Sequence, residues 1–144
     1  MIEPISLLLL EDNPGDADLI RETMPPEKIL RFYDADRLSR AIDMLRTIDV
    51  DVIVVDLGLP DSSGIETLTR LREAAPDIPT VVLTGNDDPD LAIEALRHGA
   101  EDYLIKGRID PHLLVKAIRY AMERKRFDLT LRESEQRFKS LVAC

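Results

Sequence analysis

Apolar and polar positions alternate along this chain in two rhythms. Short runs at positions 5–10, 29–33, 50–55, 80–83 and 102–105 are dominated by Leu, Ile, Val and aromatic residues. The first, third and fourth are nearly continuous, the pattern of strands buried on both faces. Between the runs the apolar residues recur at helical spacing. Leu19, Ile20 and Met24 mark a first helix after Asp16, and Leu38, Ile42, Leu45 and Ile48 a second. Ile65, Leu68 and Leu71 mark a third, starting near Ser63 and ending before Pro76. A fourth follows Asp88-Pro89, keeps Leu91, Ala92, Ala95 and Leu96, and stops at Gly99. A fifth follows Asp110-Pro111. Proline suits the first turn of a helix, where its missing N–H goes unused. The order is therefore (βα)5. Crossovers of this kind force a doubly wound, five-stranded parallel sheet with helices on both faces, an α/β fold. Such sheets place their ligands beyond the carboxyl ends of the strands.

Composition narrows the classes. No apolar run approaches the ~18 residues that suggest a membrane span. The start, "MIEPISLLLLED", has acids on both flanks of its apolar run and no basic lead, unlike a signal peptide. The only cysteine is Cys144, so no internal disulfide or cysteine-rich metal site is available. A cytoplasmic location is the expectation, with no membrane partner. The net charge of −9 is unevenly spread. From Lys106 onward there are 10 basic and 5 acidic residues; the first 105 residues hold 9 and 23. An acidic body argues against general nucleic-acid binding.

The predicted strand ends carry the chemistry. The first ends in Glu11-Asp12, the third in Asp56, the fourth in Thr84-Gly85 and the fifth in Lys106-Gly107. Singly, each has an ordinary reading as a turn residue or a solvated charge. Together, at one edge of one sheet, they form a chemical set. Closely packed carboxylates repel, and one stays protonated unless a cation joins them. Mg²⁺, or Mn²⁺ in its place, takes oxygen ligands and keeps several waters. A metal, the Lys106 ammonium and the Thr84 hydroxyl suit the oxygens of a transferring phosphoryl group. Asp56 is then the nucleophile that becomes an aspartyl phosphate.

The segments "LLLLEDN", "VIVVDLGLPDSSG", "VVLTG" and "GAEDYLIKG", taken in order, resemble the receiver domain of two-component response regulators. The resemblance implies a flavodoxin-like strand order, 2-1-3-4-5, and a domain over residues 1–126. It implies that Glu11, Asp12 and Asp56 hold Mg²⁺, with the backbone carbonyl of Gly58 completing the protein's share. It implies that Asp56 is the phosphoacceptor, that Lys106 contacts the phosphoryl group, and that Thr84 and Tyr103 form the switch pair. Pro60 and Gly64 match the loop after the phosphoacceptor. The expected partner is a histidine kinase or phosphotransfer protein, and the expected activity is a signalling receiver that catalyses its own phosphotransfer and dephosphorylation rather than a turnover enzyme. The family usually has a proline after the lysine, preceded by a cis peptide; Gly107 stands there. Gly58 and Asn86 leave room for water beside the acyl phosphate, so a short-lived phosphoryl group is expected.

Three other classes fit less well. A haloacid-dehalogenase-type phosphatase needs a second aspartate two residues after the nucleophile, where Gly58 stands. A flavodoxin-like nucleotide site needs a phosphate-cradling loop where "EDNPGD" is acidic. A docking module that is never phosphorylated would not need the full set of Glu11, Asp12, Asp56, Thr84 and Lys106.

Residues 127–144 form a separate, helical linker in this reading. Phe127, Leu131, Ser134, Phe138 and Leu141 recur at alternating spacings of four and three, a heptad seam. "RESEQRFKSLV" resembles the lead-in to a PAS domain. The expectations are a homodimer through this helix, a further domain after it, and no nucleic-acid contact by the stretch itself.

Overall fold

The computed structural model describes residues 4–24, 30–85, 88–108 and 110–142. Ile29, Asn86 and Cys144, which entered the expectations, lie outside the described residues. The elements run β1 (Ile5–Leu10), α1 (Pro14–Thr23), β2 (Leu30–Ala35), α2 (Leu38–Leu45), β3 (Val52–Asp56), β4 (Gly58–Leu59), β5 (Ser62–Ser63), α3 (Ile65–Ala74), β6 (Thr80–Thr84), α4 (Pro89–Arg97), β7 (Asp102–Ile105) and α5 (Pro111–Val142). A 3-10 turn, Lys106–Arg108, separates β7 from α5. The main sheet has the order β2-β1-β3-β6-β7 and all its pairs are parallel. This is the expected 2-1-3-4-5 order once the small antiparallel β4–β5 hairpin is set aside.

The period-two geometry of strands sorts their residues into two layers. Leu8, Leu10, Ile53, Val55 and Val82 face one side, with Leu38 and Ala41 of α2, Leu68 and Leu71 of α3 and Ala95 of α4. Leu7, Leu9, Val52, Val54, Val81 and Leu83 face the other, with Ile20 of α1 and Leu114, Ala117, Ile118 and Ala121 of α5. Neither face of the central strands meets water, which explains their unbroken apolar sequence.

Local signals set the helix starts. Asn13, Asp88 and Asp110 each precede a proline, and each side chain accepts a backbone N–H from the first turn beyond it. For α1 this corrects the expectation. The helix does not follow Asp16 but begins at Pro14, because the Asn13 Oδ1 accepts the Asp16 N–H at 3.1 Å. Asp16 therefore lies in the first turn of α1. The next two helices start differently. α3 is entered through Gly64, whose φ of 61° is a conformation that only glycine adopts without strain. α2 has no cap from its own flanking residue, Arg37. Asp61, in the β4–β5 turn, supplies it, accepting the Leu38 and Ser39 N–H groups at 2.8 and 3.0 Å. That hairpin had no place in the alternating pattern, and its turn ties the loop after Asp56 to α2.

Past Ala121, α5 runs on without a break to Val142, 32 residues in all. Among the described residues no helix is long and apolar enough to cross a membrane.

Candidate functional site

Register brings the strand ends together. Leu10 of β1 pairs with Val55 of β3, so the next residues of both strands, Glu11 and Asp56, emerge side by side. Asp56 in turn pairs with Leu83 of β6, one residue before Thr84, and Thr84 pairs with Ile105 of β7, one residue before Lys106. Glu11, Asp12 and Asp56 each offer a carboxylate oxygen, all within 4.8 Å of one another. Glu11 is buried, Asp56 half-buried and Asp12 exposed.

Lys106 closes the cluster. Its Nζ lies 2.5 Å from Glu11 Oε2, 2.9 Å from Asp56 Oδ2 and 3.0 Å from Asp16 Oδ2. An ammonium has three N–H donors, and three carboxylates surround this one. The backbone positions the acids further. The Asn13 N–H donates to Glu11 Oε1 at 3.1 Å, and the Gly58 N–H donates to Asp56 Oδ1 at 3.0 Å. Asp56 is thus oriented on one oxygen by its own loop and on the other by Lys106.

Burial makes this arrangement electrostatically tense. The Glu11 side chain is only 1% exposed. Burial raises its carboxyl above the usual range; Lys106 and the Asn13 N–H pull it back, and the charge of Asp56 pushes it up again. For Lys106, burial favours loss of the proton. The bonds to Glu11, Asp56 and Asp16 outweigh that and hold its pKa above the ordinary lysine value.

The oxygen donor set fits a hard divalent cation. Glu11 Oε2 is fully buried, and it meets Lys106 as an ion pair rather than through a well-angled hydrogen bond. A buried carboxylate oxygen short of donors, beside two further carboxylates, suits Mg²⁺ better than a softer metal.

Thr84 is buried at the end of β6. Tyr103 lies one strand over, paired with Val82 and packed against the α2–α3–α4 layer. The Lys106–Gly107 peptide is trans and enters the 3-10 turn. Two residues of this neighbourhood were not expected. Asp16 reaches Lys106 from α1; the Asn-Pro pair at 13 and 14, read as a helix start, would have placed it there. Asp61 caps α2 across 23 residues of sequence, for which the chain carries no local signal. The Ser39 N–H, ahead of the Leu38 N–H, holds the Asp61 carboxyl below its ordinary value.

The chain matches the model of the response regulator receiver domain over residues 7–119. It is similar to the regulatory protein LuxO of Vibrio cholerae, 37% identical over 101 residues that make up 68% of this chain and 21% of LuxO. It is also similar to the cell cycle transcriptional regulator CtrA of Caulobacter vibrioides, 35% identical over 100 residues, or 69% of this chain and 43% of CtrA. The chain thus spans less than half the length of these relatives. Among solved structures, a response regulator receiver domain protein from Clostridium thermocellum superposes with a TM-score of 0.74 at 25% identity, covering 85% of this chain and 98% of that one.

Proposed function

The chain belongs to the response regulator receiver domain family, and on that footing we propose that Asp56 accepts a phosphoryl group from a histidine kinase or phosphotransfer protein. The observation that carries the reading is the Lys106 ammonium 2.9 Å from Asp56 Oδ2, inside a ring of carboxylates. An Asp56 oxygen attacks phosphorus, and the bond from phosphorus to the donor's imidazole nitrogen breaks. The electron pair leaves with the nitrogen, which takes up a proton from solvent. Hydrolysis reverses the charge: water attacks phosphorus, and Asp56 leaves as a free carboxylate with inorganic phosphate. Lys106 turns its N–H groups to the phosphoryl oxygens, and the Gly58 N–H keeps the other Asp56 oxygen aimed. Glu11, Asp12 and Asp56, with the Gly58 carbonyl, would hold Mg²⁺ or Mn²⁺. When bound, the ion supplies positive charge against the phosphoryl oxygens.

Thr84 and Tyr103 are the switch pair in this reading. The Thr84 hydroxyl moves to the phosphoryl oxygens, Tyr103 turns inward, and the face built from α4, β7 and α5 changes shape. The receiver spans residues 1–126. Residues 127–144 are a linker that carries the change to a further domain in the same polypeptide, of PAS type, and pairs with a second copy. The setting is cytoplasmic.

Acetyl phosphate and Mg²⁺ test the chemistry. Mass spectrometry should show one added phosphoryl group on the wild-type chain and none on Asp56→Asn. Equal uptake by both would remove Asp56 from the role.

A further inference from the structure

We propose that Asp16 is a positioning residue that competes with the phosphoryl group for Lys106 and so limits how tightly the site holds it. The inference rests on the proposed phosphorylation of Asp56. Of the three carboxylates on Lys106, Glu11 and Asp56 belong to the oxygen cluster that suits a metal; Asp16 does not. It reaches the ammonium from α1, 3.0 Å from Nζ, and stands outside that oxygen cluster. Its place there is fixed by the helix start, since its backbone N–H is held by Asn13 Oδ1.

The consequence follows from charge. Glu11 and Asp56 would turn their charge to a bound cation, leaving Lys106 to face an incoming anion. Asp16 keeps its hold on the ammonium, because nothing in the cluster competes for its carboxylate. A phosphoryl group must then share Lys106 with the Asp16 carboxylate. The Asp16 side chain is 41% exposed, so solvent weakens the effect without abolishing it. Asp16 acts on anion and metal with opposite sign. It opposes the phosphoryl group and, as one more nearby negative charge, favours the cation. A residue that merely stabilised the start of α1 would move both affinities the same way or neither.

Beryllofluoride, which mimics a phosphoryl group on a carboxylate, tests this on the full chain by calorimetry. With Mg²⁺ saturating, Asp16→Asn should bind beryllofluoride about fivefold more tightly than wild type, a change of about 1 kcal/mol. In separate titrations without fluoride, the same variant should bind Mg²⁺ slightly more weakly. Asp16→Glu, which restores the charge, should return both affinities toward wild type. Unchanged or weaker beryllofluoride binding by Asp16→Asn, with tight binding by wild type, would overturn the role of Asp16 alone. Wild-type protein that fails to bind beryllofluoride would instead overturn the phosphorylation reading beneath it.

Discussion

Two regions of this molecule break the rule that charges face water and apolar groups face the core, and they break it in opposite directions. At the carboxyl edge of the sheet, Glu11 and Lys106 are buried or nearly so, at 1% and 18% side-chain exposure. Along the far half of α5, Phe127, Leu131, Phe138 and Leu141 lie between 53% and 78% exposed. The near half of the same helix is ordinary, with Leu114 at 1% and Ile118 at 2%. Local inconsistencies of this kind tend to mark function, because nothing in the stability of the fold maintains them. The first is resolved within the chain by pairing opposite charges. The second is not resolved by any described contact.

The largest expected effect separates the two halves of α5. Ile118→Ala empties space between α5 and the sheet and should cost about 2–4 kcal/mol in urea unfolding. Leu114→Ala should do the same. A comparable loss from Phe138→Ala in dilute solution would mean that the far half already packs on the domain, and the contrast would collapse.

Next comes the buried charge. Lys106→Met keeps the bulk of the stem but leaves Glu11 and Asp56 without their ammonium. Removing one partner of a buried pair is costly, and partial exposure of Lys106 moderates the loss to about 2 kcal/mol with chelator present. Mg²⁺ should recover part of it, since a cation can replace the missing charge. A variant as stable as wild type under chelation would show that the acids tolerate one another unaided.

These two regions also differ in how far the sequence reveals them. The strand-end residues were legible because each apolar run stops on a polar residue, and a parallel sheet brings those stops to one edge. Glu11, Asp12, Asp56, Thr84 and Lys106 could be placed there from the pattern alone. The seam of α5 was legible as spacing, since no Gly or Pro interrupts it. What escaped was contact made through turns. The 58–63 hairpin is too short to show period-two alternation, and nothing local marks its Asp61 as the cap of α2. Asp16 escaped because the apolar spacing places the start of its helix three residues late. Both were hidden by the same fact: a short polar stretch specifies its hydrogen bonds through geometry that only the folded chain supplies.

Asp61 offers a carboxylate against which the buried acids can be judged. It is exposed, yet it holds two N–H groups at the start of α2. Asp61→Ala should cost about 1 kcal/mol at neutral pH, the usual range for a lost cap. Its carboxyl titrates below the ordinary 3.8, so the unfolded chain takes up the proton first as pH falls. The stabilisation is therefore present in full above 3.8 and is lost as pH falls through the lower folded value. Unfolding midpoints of wild type and variant should converge over that acid range. Glu11 has the opposite sign. Its raised pKa makes the folded chain take the proton first, so its contribution is best below the ordinary value of 4.5 and declines as pH rises through the folded one. Glu11→Gln should flatten that decline in metal-free protein. Parallel pH profiles for the Asp61 and Glu11 variants would contradict the distinction between exposed cap and buried acid.

The smallest effect on folding is expected where the apolar residues are most exposed. Leu113, Tyr120, Phe127, Ser134 and Leu141 recur every seven residues and are exposed, so the stripe begins on the receiver portion of α5 and continues past it. Leu131 and Phe138 fill the intervening positions of a heptad. Substituting Phe127 and Phe138 by Gln should alter monomer unfolding by less than about 0.5 kcal/mol, as for surface changes that touch nothing. The effect should appear in association instead. Helices in proteins draw most of their stability from packing an apolar face rather than from propensity, so a second copy paired along the stripe would give these side chains the burial they lack. Light scattering should show wild type self-associating with rising concentration, more strongly with phosphodonor, because the stripe starts on the face that Thr84 and Tyr103 are proposed to reshape. The doubly substituted chain should stay monomeric under both conditions. If wild type also stays monomeric throughout, the stripe does not pair with a second copy, and the exposed half of α5 is a plain extension of the receiver helix.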